Sequence, residues 1–230
     1  MTFAEKIVSF LMDLEYKGSL PDGITIMNPF RDNPEVVSVI TQFYSRFYSD
    51  ENHRHLILGI NPGRFGAGVT GVPFTDTRRL AEKCNIIISG IQTFEPSSAF
   101  VYEMIEAFGG PESFYSNFYI SAISPLGFTV PGGKGRDVNF NFYDNKNLTA
   151  YVYNFIIESL EKQLEFGIKK DVCFCLGAGK NFKFLDELNS RFRYFSKIVP
   201  LEHPRYVIQY KSKQKQHYIS KYVEEFRKVL

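Results

Sequence analysis

The feature that most constrains the fold of this chain is an alternation of short apolar runs with longer amphipathic stretches. Four runs predict buried strands, at 54–60, 117–124, 171–177 and 195–200. Six stretches repeat apolar residues every three or four positions and predict helices, at 3–16, 34–48, 98–108, 149–166, 180–189 and 213–229. Strands that alternate with helices in this way are typical of parallel sheets. We therefore predict an α/β fold, a three-layer α/β/α sandwich around a central, mostly parallel four-stranded sheet.

Polar residues before the apolar repeats predict where the helices begin. Asn33 is expected to cap a helix that starts at Pro34, because proline is tolerated in a first helical turn. Ser97 or Ser98 is expected to cap the helix over 98–108, and Thr149 to open the long helix.

The chain of 230 residues is 44% hydrophobic and shows no repeat, low-complexity segment or polar linker. We predict one domain over 1–230, with helices in residues 1–50 packing on it. Three cysteines do not make a disulfide framework, so buried thiols and a cytoplasmic location are expected. Neither a secretory leader nor a membrane-length apolar run is evident.

Charge is distributed unevenly although the whole chain carries only +2. From Arg205 to the end, seven Lys and Arg residues face only Glu224 and Glu225, which gives this segment a net charge of +5. Such a segment indicates a polyanionic partner or, as the more ordinary interpretation, the solvated face of a helix.

Three predicted loops follow strands at the carboxyl edge of the sheet, where parallel folds place their active sites: 61–76, 124–136 and 201–210. The first is rich in glycine, but "GINPGRFGAG" contains neither a Walker motif nor GxGxxG. The four histidines are too scattered for a zinc site. We therefore expect no metal and no cofactor.

The stretch "RHLILGINPGRFGAGVTGVPFTD" brings one amide, Asn61, to the end of a predicted buried strand. An Asn before Pro-Gly commonly stabilises a turn through its side chain, and Phe74 has core packing as its ordinary role. On the residues alone, these structural roles stay open beside functional ones.

The segment "GINPGRFGAGVTGVPF" is similar to the first motif of the uracil-DNA glycosylase superfamily, closest to its single-strand-selective monofunctional (SMUG-type) branch. His203-Pro204 in "LEHPRY" resembles the start of the second motif, and 97–126 follows the family layout of helix, Gly turn and strand ending in Pro-Leu. The resemblance spans roughly residues 54–215.

The resemblance implies a monofunctional DNA glycosylase that removes uracil or other deaminated bases in base excision repair. Asn61 would orient the attacking water, and His203 would donate a hydrogen bond to the departing base. Phe74 would stack on the base, with Gly63, Phe65, Ala122 and Ser124 completing its pocket. Two alternatives remain: a weak or inactive module of the same fold that binds DNA or damaged bases, and a hydrolase of free nucleotides.

The implied partner is DNA, bound by a monomer without an obligate protein partner or a membrane. The expected DNA-binding residues are Arg205, Tyr206, Lys211, Lys213 and Lys215. Either Arg205 or Tyr206 would fill the gap left by a flipped base, and the loop 131–137 is a second DNA contact or a plain turn. Where the SMUG-type branch has an Asn that reads uracil, this chain has Ala122, which predicts a relaxed base preference.

Overall fold

Strand β2, Arg54–Gly59, is buried along its whole length and has a parallel neighbour on each side. Its neighbours are β3, Phe118–Ala122, and β6, Ile168–Leu176, and β6 pairs in turn with β7, Lys197–Leu201. The order β3-β2-β6-β7 makes a four-stranded sheet in which every pairing is parallel. The predicted α/β fold, with helices flanking this sheet, is confirmed.

The computed structural model describes all residues, Met1–Leu230. Its helices are α1 Phe3–Met12, α2 Pro29–Asp32, α3 Pro34–Phe47, α4 Ala67–Thr70, α5 Thr77–Cys84, α6 Pro96–Phe108, α7 Pro111–Tyr115, α8 Lys146–Leu164, α9 Lys180–Phe192, α10 Pro204–Tyr210 and α11 Lys215–Arg227. The remaining strands are β1 Thr25–Met27, β4 Gly127–Pro131 and β5 Asp137–Phe140.

A second, antiparallel sheet of order β1-β4-β5 lies outside the predicted strands. Its strands have only three to five residues, and β1 pairs with a strand some hundred positions later, so no local periodicity marks it. The segment 131–137, predicted as a DNA contact or a plain turn, connects β4 to β5 as a hairpin.

Two helix starts differ from the prediction. Helix α6 begins at Pro96 after Glu95, without a side-chain cap, and both Ser97 and Ser98 are buried within it. Helix α8 begins at Lys146, because Asn145 accepts hydrogen bonds from the N–H groups of Asn147 and Leu148. Each predicted start was two or more residues too late: α6 begins at a proline without a capping side chain, and the cap of α8 is Asn145 instead of Thr149.

The segment 201–210, expected to be a loop, consists largely of α10. His203 accepts a hydrogen bond from the Arg205 N–H, and Pro204 occupies the first helical position. This helix has only seven residues, too few for an amphipathic repeat. Asn33 caps α3 before Pro34 as predicted, through the Glu35 N–H.

One hydrophobic cluster of 55 buried residues includes residues of the sheet and of α1 and α3. Phe3 of α1 packs edge-on against Tyr119 of β3 at 5.5 Å between ring centroids, and Tyr48, after α3, lies 6.0 Å from the same ring. All three cysteines are buried free thiols. The helices include none long and apolar enough to cross a bilayer.

Arg54, the first residue of β2, is fully buried and holds the start of this strand. Its guanidinium donates to both Asp50 carboxylate oxygens at 2.8 and 2.9 Å, and to the Tyr115 carbonyl at 2.7 Å. The same group lies 4.7 Å from the Phe3 ring centroid. Hydrogen bonds from Arg54 lower the pKa of Asp50, so Asp50 stays ionised opposite the buried cation.

We expect Asp50→Ala to lower the free energy of unfolding by about 2–3 kcal/mol, because it leaves the buried Arg54 charge without its carboxylate. Urea unfolding at pH 7 measures the change. Glu51→Ala, which removes the neighbouring and largely exposed carboxylate, is the matched control and should change stability by less than about 0.5 kcal/mol. Equal effects of the two substitutions would contradict this role for Arg54.

Candidate active site

A cavity opens at the carboxyl edge of the parallel sheet, where the chain leaves β2, β3 and β7. Asn61 reaches it two residues after β2, Ala122 at the end of β3, and His203 two residues after β7. The structure therefore brings together residues far apart in sequence. No three His, Cys, Asp or Glu side chains are grouped as metal ligands.

The Asn61 amide is held in one orientation. Its Nδ2 donates to the Phe140 carbonyl at 3.2 Å and to the Pro62 carbonyl at 3.3 Å, and its Oδ1 accepts from the Phe142 N–H at 3.2 Å. Because the amide meets carbonyls on its nitrogen side and an N–H on its oxygen side, a flipped amide would lose all three bonds. Oδ1 accepts from this one protein donor, so its second lone pair has no protein partner.

Phe74 lines the cavity instead of filling the interior of the core. Its backbone has a φ of 51°, in the left-handed region that costs a non-glycine residue of order 1–3 kcal/mol. The ring lies against the backbone of Gly59, where a Cβ would come within 2.9 Å of it. Strained backbone and close packing together hold one face of this ring at the cavity.

The His203 ring lies beside Phe74, with 5.7 Å between their centroids. Its Nδ1 accepts the hydrogen bond from the Arg205 N–H at 3.2 Å, so the neutral ring carries its proton on Nε2. Burial and then the Arg205 charge lower the pKa of His203 to about 4. At neutral pH this histidine is an uncharged donor.

The remaining pocket residues predicted from the sequence fall into two groups. Gly63 and Ala122 line the cavity. Phe65 does not: its ring is 47% exposed and lies under the Arg64 guanidinium at 4.4 Å. Ser124 is fully buried and donates its hydroxyl to the Leu126 carbonyl, so it stabilises the turn after β3 outside the cavity lining.

The predicted DNA-binding residues lie on α10, between α10 and α11, and at the start of α11. Arg205 lines the cavity, and Tyr206 is exposed with its ring 5.6 Å from that of Tyr210. Lys211 and Lys213 form no ion pair, whereas Lys215 is paired with Glu103 of α6. Arg205, Tyr206, Lys211 and Lys213 are therefore free to contact a polyanion. Lys215 can do so only after its ion pair with Glu103 breaks.

Sequence reasoning missed several polar residues that line the cavity, among them Glu95 and Asn139. Glu95 precedes α6, and burial followed by the nearby Asp76 charge raises the pKa of Glu95 to about 7, against an opposing effect of Arg205. Asn139 belongs to β5, the strand that the periodicity did not predict. No pattern in the sequence identifies Glu95 or Asn139 as a site residue, because both lie outside the two family motifs.

Comparison with known proteins assigns the family. The family model described as "Uracil DNA glycosylase superfamily" matches residues 46–227, so the chain belongs to this superfamily. Among solved structures, the crystal structure of wild-type SMUG2 from Pedobacter heparinus is 53% identical, with a TM-score of 0.97. The alignment covers 100% of this chain and 98% of that one. None of the curated proteins compared with the chain matches it.

Substitutions at His203 separate its donor role from its cap role. His203→Asn keeps a side-chain acceptor for the Arg205 N–H, whereas His203→Ala removes it and should cost about 1 kcal/mol of stability. Both variants lose the Nε2 donor, because an Asn amide whose oxygen is held by the Arg205 N–H is shorter than imidazole and its Nδ2 does not reach the position of Nε2. Both should therefore cut about 10²–10³-fold more slowly if the site stabilises a departing anion. Thermal unfolding and single-turnover cleavage of uracil-containing DNA test this, and near-normal cleavage by His203→Asn would contradict the donor role.

Proposed function

We propose that this protein is a monofunctional DNA glycosylase that hydrolyses the N-glycosidic bond of uracil or other deaminated bases, for base excision repair. One observation carries the proposal: a fixed amide, a neutral imidazole donor and an aromatic face line the same cavity. Membership of the superfamily and the likeness to SMUG2 support it.

In this reaction, the bond between C1′ of the deoxyribose and the base nitrogen breaks, and its electron pair leaves with the base. The oxygen of a water molecule forms the new bond to C1′, and the proton that it releases balances the base anion. Asn61 orients this water through the free lone pair of Oδ1. Since an amide is a poor base, most of the rate enhancement must come from helping the bond to break.

His203 assists that bond breaking by donating from Nε2 to the base oxygen on which negative charge develops. A donor that is already oriented and uncharged needs no proton transfer to act. The low pKa of His203 keeps it in this form throughout the neutral range. The imidazole therefore contributes by electrostatic stabilisation and not by general acid catalysis.

The target base must leave the DNA stack to enter the cavity. Stacking of the flipped base on Phe74 would offset roughly 1–3 kcal/mol of the free energy needed to extrude it. Arg205, Lys211 and Lys213 would contact phosphates, and Arg205 or Tyr206 would fill the gap in the strand. Because all of these groups come from one chain, a monomer would suffice for the reaction. The buried free thiols accord with a cytosolic location.

Ala122 gives the proposed enzyme a relaxed base preference. Its methyl group lines the cavity at the end of β3 and offers no hydrogen bond to a base edge. The pocket would thus accept uracil together with deaminated purines such as hypoxanthine and xanthine.

The test of the function is cleavage of labelled oligonucleotides that carry uracil, 5-hydroxymethyluracil, hypoxanthine or xanthine, in single and double strands, with alkali to reveal abasic sites. We expect the wild type to cut and Asn61→Ala to lose at least about 100-fold in rate. Asn147→Ala, at an exposed position in α8, is the matched control and should cut normally.

A wild-type protein that binds these oligonucleotides but cuts none of them would exclude the glycosylase and favour the binding module. The polar atoms missing at Ala122 are the observation that favours this second candidate. Inhibition by free nucleosides, with their hydrolysis, would instead indicate a hydrolase of monomers.

Ala122→Asn should narrow the base preference. The new amide can pair with the edge of uracil, and it reduces the room for a purine, so the ratio of uracil to hypoxanthine cleavage should rise about tenfold. Single-turnover rates on the two substrates measure the ratio. Ala150→Asn, at an exposed position of α8, is the control, and an unchanged ratio in Ala122→Asn would exclude this account of base preference.

A further inference from the structure

Glu95 and Asn139 face the same point of the cavity, in front of Gly63. A Cβ built on Gly63 would lie 3.2 Å from Glu95 Oε1 and 3.3 Å from Asn139 Nδ2. Gly63 follows Asn61 by two residues, and all four residues line the cavity. Glu95 Oε1 and Asn139 Nδ2 thus approach the same point beside the Gly63 backbone, and we call the part of the cavity that these two groups flank the recess.

The Asn139 amide can present only its donor to this recess. Its Oδ1 accepts the Arg64 N–H at 2.9 Å, which fixes the amide with Nδ2 on the cavity side. Nδ2 itself donates to no protein acceptor. A free N–H₂ group of fixed orientation is a donor for a ligand carbonyl.

The Glu95 carboxyl is likewise unengaged. The hydrogen bonds of Glu95 involve its main chain, including its N–H, which donates to Asp76 at 2.7 Å, and neither carboxyl oxygen accepts from a protein donor. Asp76, in turn, accepts from the Arg79 main chain and side chain and caps α5. Arg205 faces Glu95 from α10, and Asn139 faces it from β5.

We propose that Glu95 and Asn139 read the base, with Asn139 Nδ2 donating to a ring carbonyl and the Glu95 carboxylate accepting from the adjacent ring N–H. This inference rests on the proposed glycosylase function. It supplies the base-reading groups that Ala122 cannot.

The donor and acceptor pair matches a property that deaminated bases share. Uracil, hypoxanthine and xanthine each carry a ring N–H next to a carbonyl. Cytosine and adenine present a ring nitrogen lone pair next to an amino group. Their lone pair would face the carboxylate, and their amino group would face the Asn139 amino group, so both contacts would be repulsive or unpaired. The same pair therefore accepts uracil, hypoxanthine and xanthine and rejects cytosine and adenine. Thymine and guanine also carry a ring N–H beside a carbonyl, so this pair does not exclude them.

Two substitutions test this pair. Asn139→Asp keeps an acceptor for the Arg64 N–H but replaces the donor, so cleavage of uracil DNA should fall about 100-fold. Glu95→Gln removes the charge and should lower cleavage about tenfold, because charge-assisted hydrogen bonds are stronger than neutral ones. The matched controls, Asn147→Asp in α8 and Glu106→Gln at the exposed end of α6, should cut like the wild type.

Two further measurements distinguish base reading from a structural role. Binding of DNA with a tetrahydrofuran abasic site should be unchanged in both variants, since that DNA has no base to read. The wild-type cleavage rate should rise between pH 6 and 8.5 as Glu95 ionises near pH 7, and Glu95→Gln should flatten this rise.

Cleavage within twofold of the wild type in both variants, or equally weakened binding of abasic DNA, would overturn the reading pair and leave the glycosylase function standing. A wild type that cuts no deaminated base would overturn the function, and the base-reading role would fail with it.

Discussion

The Asn61 amide is the interaction on which the site depends, because it ties the turn after β2 to the segment after β5. Three hydrogen bonds of one neutral side chain fix the turn, and two of them join it to the Phe140 carbonyl and the Phe142 N–H, in and just after β5. The antiparallel sheet reinforces the contact. A Cβ on Gly127 of β4 would come within 2.5 Å of the Pro62 carbonyl, so glycine there permits the close approach. The small second sheet thus packs against the turn and holds it in position.

The cavity and its rim differ in charge, and the difference follows from burial. Inside, desolvation suppresses charge: it keeps His203 neutral and brings the pKa of Glu95 to about 7. Outside, Lys211 and Lys213 remain without acidic partners, whereas Lys221 and Lys228 of the same basic segment are paired with Glu202 and Glu225. Only part of the basic excess seen in the sequence is therefore free for phosphates. A neutral donor inside and free cations at the rim suit a flipped base on a polyanionic strand.

The sequence predicted the parallel sheet and its long helices correctly, because their periodicity depends on residues a few positions apart. It failed where a short element depends on a distant partner. β1, β4 and β5 are stable only as a sheet, and α10 depends on the His203 side chain and Pro204 at its start. The two displaced helix starts have different causes: α6 begins at Pro96 without a capping side chain, and α8 is capped by Asn145. In the site, Asn61, Phe74, Gly63, Ala122, Arg205 and His203 reached the cavity, and Phe65 and Ser124 did not.

The sequence by itself determined the strands of the parallel sheet, the order of the two motifs and the residue types at the ends of those strands, because these are encoded locally. Only the tertiary structure decided which polar groups remain free. The Arg64 N–H orients the Asn139 amide, and the Arg205 N–H fixes the tautomer of His203. Hydrogen bonds and burial depend on what packs nearby in space, and for Asn139 that partner lies 75 residues away along the chain. Folding therefore decides which of the donors and acceptors in the sequence remain unpaired and can contact a substrate.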